Sequence, residues 1–357
     1  MKRGCEKCKN IFLQPQKPRA AQGAKGADYN KIRRRKATHL KAHSARRTAH
    51  SFIEKDTTAM KYRLLLILTA LIWGLAFTAQ SVAMNDIGPL TFSAARSFIG
   101  AAALLPLLFC MKEEKPTIAP SFPLWLAILI CGLLFCCGTV LQQIGIMYTT
   151  VAKASFITAT YILIVPILGL FVGQVLKRNH IIGAILAMTG VYLLSVTETF
   201  TVGRGDTLVA LCALGFSCHI LFLDYAARRY SPIALSCGQF FVCGLISLAG
   251  ALTFETISLS SLLNAWIPIL YVGIFSTGVA YTLQIIGQKH LPPTECSMIL
   301  SLEMVFGGLG GFLFLGETLT LRETAGVLAM TAGVFLSQIE SPEVISFAKN
   351  KDTGHAR

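Results

Sequence analysis

Long apolar segments separated by short polar connections make up almost all of the chain from residue 64 onward. A helix needs ~20 mostly apolar residues to cross a bilayer, and the fifth and tenth segments lie near the lower limit for spanning. The pattern predicts an all-α membrane protein with ten transmembrane helices. The segments cover residues 64–84, 89–110, 122–147, 154–176, 180–196, 207–227, 232–254, 263–287, 294–315 and 323–339.

Composition agrees with the apolar pattern. Of the 357 residues, 54% are hydrophobic and only 14% are charged, whereas a soluble domain carries about 25% charged residues. Nine of the eleven cysteines lie in apolar runs, where cysteine acts as a small hydrophobe rather than as part of a disulfide framework. Cys5 and Cys8 form a CxxC without a second ligand pair, a weak zinc signal. No metal or cofactor is predicted.

Positive charge is concentrated at the N-terminus. Residues 1–59 hold 16 Lys/Arg and 4 Asp/Glu, which leaves 16 and 14 for residues 60–357. A basic segment without apolar periodicity is expected to be disordered. It could contact anionic lipid or nucleic acid, although no nucleic-acid partner is predicted. It contains little serine for an organelle presequence, and the alternative is that Met60 is the biological start.

The basic residues of the connections predict the orientation. If ten spans begin in the cytoplasm, twelve Lys/Arg from Lys61 onward fall on the inner side, and the outer side carries only Lys153, Arg204 and Arg322. Cytoplasmic loops carry an excess of Lys and Arg. The chain is therefore expected in a cytoplasmic-type cell membrane with both termini in the cytoplasm.

The chain also repeats itself. Gly183–Val191 aligns with Gly326–Val334 at a shift of 143, and Gln142 aligns with Gln284 at a shift of 142. Since five spans per half is an odd number, the second half must lie inverted, an arrangement typical of transporters with a mid-membrane site. The predicted organisation is a basic extension over 1–59, five-helix repeats over 60–198 and 205–339, and a cytoplasmic tail over 340–357.

The segment 294–317 carries one acidic residue, Glu303, near its middle. Gly307, Gly310, Gly311 and Phe314 share its side of the helix by spacing, and the glycines allow a neighbouring backbone to come close. A carboxylate in hydrocarbon costs roughly 2.5 kcal/mol or more, so this side is expected to face protein or a watery cavity. Glu303 could titrate a proton or pair with a cation, or it could be a structural carboxylate bonded to a neighbouring helix.

Two more ionisable residues lie inside predicted spans. Arg96, in the second span, could bind an anionic group bidentately or snorkel to the outer interface, and facing inward it would need a partner such as Glu303. His219, in the sixth span, could be a proton relay or a neutral core histidine with one hydrogen bond. Asp224, four residues before Arg228, is read as a helix ion pair rather than as a site.

Uncharged polar residues form stripes on several spans, where they are either interhelical glue or cavity lining. Pro166 is expected to bend the fourth span, and the three tryptophans are read as interface anchors and packing residues, not as substrate stackers. The stripe residues are Gln142, Gln143, Gln239, Thr277, Tyr281, Gln284 and Gln288.

Several short motifs, in order along the chain, resemble the drug/metabolite transporter superfamily in its EamA-like branch of ten-span carriers. They comprise Trp73-Gly74-x-x-Phe77, Arg96 within Phe92–Phe98, the Leu141–Thr158 junction with Val165-Pro166, Pro292-Pro-Thr294, Ser301-Leu-Glu303 and Gly316-Glu317. The resemblance covers residues 60–339. It implies a membrane carrier of small metabolites, often an exporter, coupled to an ion or solute gradient.

Two positions depart from this family pattern. The family usually has Glu-Pro where this chain has Glu303-Met304, so the helix break of the family can be absent here. Gln174 replaces the common glutamate at the end of the fourth span, so that position cannot carry an ionisable role.

No enzyme motif appears, neither HExxH, GxSxG nor a P-loop lysine pattern. The sequence predicts a gradient-driven transporter of small polar metabolites, with alternating access around a cavity between the third, fourth, eighth and ninth spans. The alternatives are a membrane scaffold or receptor without transport activity and a membrane-embedded enzyme. The oligomeric state is left open, and a homodimer is one arrangement that the sequence allows.

Overall fold

A computed structural model describes residues 59–110, 118–174, 176–195, 203–316, 320–339 and 344–345. The basic extension and almost all of the C-terminal tail therefore lie outside the described residues, and the predictions for them stay predictions. Within these ranges the chain is almost entirely helical.

The first half contains six helices, two of which continue one another. Thr150 begins the fourth span, where its hydroxyl accepts a hydrogen bond from the Lys153 amide and so satisfies a donor that the first helical turn leaves free. The helices are α1 (Ala59–Ala83), α2 (Pro89–Cys110), α3 (Leu124–Ile146), α4 (Val151–Thr158), α5 (Tyr161–Phe171) and α6 (Arg178–Ser195).

The second half repeats this order with two additions, the short helix Leu259–Asn264 before its third span and a π-helical stretch over Tyr271–Ala280 inside that span. The helices are α7 (Arg204–Ala227), α8 (Pro232–Phe254), α9 (Leu259–Asn264), α10 (Trp266–Leu270), α11 (Tyr281–Gln288), α12 (Pro293–Leu300), α13 (Glu303–Leu315) and α14 (Leu321–Gln338). Two short strands, β1 (Leu176–Lys177) and β2 (Val344–Ile345), pair antiparallel.

In the part of the chain that the structure describes, eight helical segments are long and apolar enough to cross a membrane. They are α1, α2, α3, α4–α5, α7, α8, α10–π–α11 and α12–α13, and the chain is a multi-pass membrane protein. The fifth and tenth predicted spans are helices α6 and α14, but neither is among these eight. Both segments were near the lower limit for spanning, and Arg178 and Arg322 lie in their first turns.

The two halves pack with reciprocal contacts. A Cβ added at Gly190 would lie 2.5 Å from the carbonyl oxygen of Gly326, and one added at Gly333 would lie 2.6 Å from that of Gly183. Gly183 and Gly190 align with Gly326 and Gly333. The contact that Gly190 of α6 makes with α14 is therefore the repeat equivalent of the contact that Gly333 of α14 makes with α6. Such exchange of equivalent contacts is what a two-fold axis produces.

The fourth span of each half is interrupted at equivalent positions. α4 and α5 are separated by residues 159–160, and α12 and α13 by residues 301–302. Thr160 and Ser301 donate side-chain hydrogen bonds to the carbonyls of Ile157 and Met298, which competes with regular helical bonding. The helix break that the change to Glu303-Met304 left in doubt is therefore present, at residues 301–302, although no proline stands there.

An ion pair joins the start of α1 to the start of α12. Arg63 Nε lies 2.7 Å from Glu295 Oε1, and the rings of Tyr62 and His290 stack with their centroids 3.9 Å apart. We call these four residues the first latch.

Equivalent positions make a second set of contacts between α7 and the loop before α4. Thr149 donates a 2.7 Å hydrogen bond to Asp206, and Arg204 lies over the ring of Tyr148 at 5.2 Å. Asp206 aligns with Arg63 at a shift of 143, and Tyr148 aligns with His290 at a shift of 142. Two positions of this second latch are thus equivalent to positions of the first, whereas Thr149 and Arg204 have no counterpart in it.

Candidate functional site

The candidate site is a narrow cavity between the two halves, with a volume of about 30 Å³. Its walls come from seven of the eight spans, whereas the sequence predicted four. Repeat-equivalent residues face one another across it, among them Trp73 and Phe216, and Gln142 and Gln284. The wall residues are Trp73, Phe77, Gln80, Arg96, Gln142, Thr158, Tyr161, Phe216, His219, Ile220, Ser276, Tyr281, Gln284 and Glu303.

Glu303 lies in the first turn of α13, directly after the helix interruption, and is 4% exposed. Its Oε1 accepts a 2.9 Å hydrogen bond from the Tyr161 hydroxyl. The first turn of a helix has free amide groups and favours negative charge. The structure therefore places an acid in the cavity wall, on the same helix as the buried glycines Gly307, Gly310 and Gly311.

Arg96 is 2% exposed and lines the same cavity. Its Nη1 donates to Gln80 Oε1 at 3.3 Å, while Nε and Nη2 have no partner in the described part of the chain. Within those residues Arg96 forms no ion pair with Glu303, so the expected pairing is wrong. Its burial also shows that the side chain does not snorkel to an interface.

Gln142 and Gln284 bring repeat-related amides to the cavity. Gln142 Nε2 donates to Thr158 Oγ1 at 3.2 Å, whereas Gln284 Oε1 has no partner in the described ranges. Gln143, one residue from Gln142, is not in the wall, and its Nε2 donates to the Gln80 carbonyl at 3.4 Å.

His219 lies in the wall with Gln239 behind it. His219 Nε2 is 2.9 Å from Gln239 Oε1, and both side chains are buried. This matches the interpretation of a core histidine with one hydrogen bond, although the ring also reaches the cavity. Gln239 acts on the cavity only through His219.

The π-helical stretch divides the polar stripe of the eighth span. Tyr281 and Gln284 line the cavity, but Thr277 and Gln288 do not. Thr277 packs instead on α2, where its Cγ2 would be 2.7 Å from a Cβ added at Gly100. A π-helix has more residues per turn than an α-helix, so an α-helical wheel places Thr277 on the wrong side.

Trp73 is a buried packing residue, as one part of the interpretation of the tryptophans expected, and it also reaches the cavity wall. Its Nε1 donates to the Ser276 carbonyl at 3.1 Å, its ring lies 4.4 Å from that of Tyr281, and it faces the cavity. Trp125 and Trp266 are 64% and 54% exposed, as interface anchors would be. Aromatic rings at one end of the cavity therefore offer an apolar surface to a solute.

The residues predicted for helix packing lie outside the cavity wall. Gly307 and Gly310 face Ser155 and Thr78, with 3.1 and 2.8 Å from an added Cβ to those side chains. Gly311 is buried and Pro166 lies inside α5. Phe314 lies on the same helix as Glu303, as predicted, but it is 68% exposed near the C-terminal end of α13.

Sequence reasoning missed several wall residues, of which Tyr161 and Gln80 matter most. Tyr161 stands 142 positions before Glu303, so the repeat shift already used for Gln142 could have found it. Gln80 is a lone amide in an apolar span, a signal of the same kind as Gln239. The apolar wall residues carry no distinguishing signal in a single sequence.

Asp224 and Arg228 form the predicted helix ion pair, with Arg228 Nη2 2.8 Å from Asp224 Oδ1. The nine cysteines of the described residues are free. In the same residues, no three His, Cys, Asp or Glu side chains are grouped to hold a metal ion. The absence of a metal or cofactor stays a prediction.

Comparison with solved structures supports the fold. One crystal structure matches with a TM-score of 0.64 at 17% sequence identity, covering 78% of this chain and 96% of the other. At this identity the match concerns the fold alone.

Sequence comparison identifies relatives across the helical part of the chain. The chain is 30% identical over 272 residues to an uncharacterized transporter of Archaeoglobus fulgidus, covering 76% of this chain and 83% of that one. It is 23% identical to the uncharacterized transporter YoaV of Bacillus subtilis, covering 78% and 97%. The model of the EamA-like transporter family matches residues 60–196 and 203–338. The chain therefore belongs to the EamA-like transporter family.

Proposed function

We propose that this membrane transporter is a gradient-driven exporter of small polar metabolites that works by alternating access. The observation that carries the proposal is the cavity between the two repeats, which holds a buried carboxylate and a buried guanidinium that do not pair with each other. Buried charges in a membrane default to function, and unpaired ones need a solute, an ion or water as partner.

The roles that we propose follow from the wall geometry. Glu303 binds a proton or a cationic group, Arg96 binds an anionic group, and Gln142, Tyr281 and Gln284 orient the solute. His219 touches the same space, with Gln239 holding its ring. Gln143 and Thr277 are packing residues in this proposal, together with Pro166 and the glycines of α13.

The two latches provide a basis for alternating access. Each joins the first helix of one repeat to the start of the fourth span of the other, and two of the four positions in each are related by the repeat shift. Inverted repeats commonly open one side or the other by rocking around a fixed site. In our proposal α6 and α14 complete ten spans in two inverted repeats, and opening of one latch exposes the cavity to one side of the membrane.

We further propose a cytoplasmic-type cell membrane with both termini inside, on the basis of the distribution of Lys and Arg. A homodimer stays a prediction. A reporter fused after Arg357 and tested from each side of intact cells checks the orientation.

The test of transport is a panel of metabolite efflux assays in cells lacking and overexpressing the protein, followed by flux of the responding solutes into proteoliposomes. Solute movement that requires the reconstituted protein and follows an imposed gradient supports the proposal. Absence of flux for every solute, together with co-purification of a specific partner, would favour a scaffold or receptor.

A further inference from the structure

One edge of the Arg96 guanidinium is unused. Nη1 is held by Gln80, so the free donors are Nε and Nη2. These two nitrogens lie on the same side of the planar group and form the fork that binds carboxylates bidentately. Arg228 shows the use of this edge, since its Nε and Nη2 both donate to Asp224 Oδ1, at 3.2 and 2.8 Å.

The free edge is buried, and it belongs to a residue of the cavity wall. Arg96 is 2% exposed and lies in the cavity wall. Leaving buried charged donors without a partner costs more than the loss of a neutral hydrogen bond. A protein keeps such an arrangement where a ligand supplies the missing partner.

The rest of the wall limits what that ligand can be. Glu303 supplies a carboxylate, and Gln284 supplies an amide oxygen without a partner in the described residues. Both groups accept hydrogen bonds, so each favours a donor on the ligand. Rings of Trp73, Phe77 and Phe216 supply apolar surface. A second anionic group on the ligand would meet the Glu303 carboxylate and be repelled.

From these contacts we infer that Arg96 forms a carboxylate subsite, and that the transported solute carries one carboxylate together with a hydrogen-bond donor group. The inference rests on the proposed function and adds the class of solute to it. The carboxylate occupies the free edge of Arg96, and the donor group, a hydroxyl or an ammonium, turns towards Glu303 and Gln284. A planar monoanion fits this edge and neutralises one guanidinium.

A matched ligand series tests the subsite with the full chain in detergent. The probes share a phenyl ring: phenylacetate, mandelate, their two amides and benzylphosphonate. The measurement is the concentration dependence of the thermal unfolding midpoint, since a ligand that binds the folded state raises it. We expect both carboxylates to stabilise the chain, mandelate more strongly because of its hydroxyl, and each amide to need a concentration about tenfold higher or more.

Variants locate the effect. Arg96→Lys keeps the positive charge but removes the fork, and it should weaken mandelate binding about tenfold or more. Arg229→Lys is the matched control, because that guanidinium lies over the Tyr225 ring at 3.8 Å and outside the cavity wall. If Arg96→Lys fails to fold, the preference of the unaltered chain for acid over amide still decides the question.

Three results would overturn the inference: equal stabilisation by mandelate and its amide, stronger stabilisation by benzylphosphonate, which would indicate a phosphate site, or no stabilisation by either carboxylate. Flux assays separate this failure from failure of the proposed function. Proteoliposome flux confined to solutes without a carboxylate would contradict the carboxylate subsite but not the proposed transport. Binding of carboxylates without flux of any solute would contradict the proposed transport but not the subsite.

Discussion

The Tyr161 hydroxyl donates a 2.9 Å hydrogen bond to Glu303 Oε1, and the two residues occupy equivalent positions of the repeats. Each is the first residue of the helix that follows an interruption. The bond therefore joins the two broken spans across the axis that relates the halves. This repeat position therefore holds a hydrogen-bond donor, Tyr161, in the first half and an acid, Glu303, in the second half.

Removing that donor should impair transport more than folding. Tyr161→Phe leaves the ring in place but deletes the bond to Glu303. A hydrogen bond to a charged group contributes about 1.5–3 kcal/mol, so we expect solute flux in proteoliposomes to fall about tenfold or more. Tyr271→Phe is the matched control, because its hydroxyl donates to the Ile72 carbonyl outside the cavity wall, and its flux should be unchanged. Equal flux in the two variants would remove Tyr161 from the mechanism.

The first latch predicts a charge-swap result. Arg63→Glu places like charges at the position of the 2.7 Å contact with Glu295, and Glu295→Arg does the same. Each single variant should lower the thermal unfolding midpoint, and the double variant should recover most of the loss, with a coupling free energy of about 1 kcal/mol. Strictly additive effects would show that the ion pair does not hold α1 to α12.

Glu255 predicts a stability effect without a transport effect. Its carboxylate accepts hydrogen bonds from the amides of Leu90 and Thr91 and from the Thr91 hydroxyl, at 2.8, 2.8 and 2.6 Å. It thus caps the N-terminus of α2 from the end of α8. Glu255→Ala should destabilise the chain by about 1–3 kcal/mol, measured by thermal or denaturant unfolding. Unfolding that matches the unaltered chain would mean that this cap contributes nothing.

The close contact between α6 and α14 predicts that adding one methyl group there lowers the stability of the protein. In Gly190→Ala the added Cβ meets the carbonyl oxygen of Gly326 at 2.5 Å and the backbone nitrogen of Met330 at 2.8 Å, whereas in Gly215→Ala it meets the backbone of Gly138 at 3.4 Å. Overpacking costs about 1–3 kcal/mol, so Gly190→Ala should lower the unfolding midpoint while Gly215→Ala stays near the unaltered value. A reversed order would contradict the packing described for this helix pair.

Most of the fold could be predicted from the sequence because it follows from periodicity and length. The predicted segment 89–110 coincides with α2, and 232–254 coincides with α8. The interruptions at 159–160 and 301–302 could not be predicted, because neither proline nor glycine stands at those positions to signal them.

Glu303 and Arg96 could be predicted as site residues because placing a charged side chain in the hydrocarbon of a membrane costs free energy. Their relation could not, because two charges of opposite sign suggest a pair, and the structure instead gives one to Tyr161 and the other to Gln80. The sequence did not separate Trp73, a packing residue in the cavity wall, from the exposed Trp125 and Trp266, because a single sequence carries no information on which side of a span faces the axis.

Solute counterflow in proteoliposomes containing Glu303→Gln tests the central claim most directly. The amide keeps the size of the side chain but cannot carry negative charge, and Asp224→Asn provides a matched acid-to-amide change in a helix ion pair outside the cavity wall. If the cavity is the transport pathway, Glu303→Gln loses flux of the solute that the unaltered protein carries, while Asp224→Asn retains it. Undiminished flux in Glu303→Gln, with folding unchanged, would contradict the account.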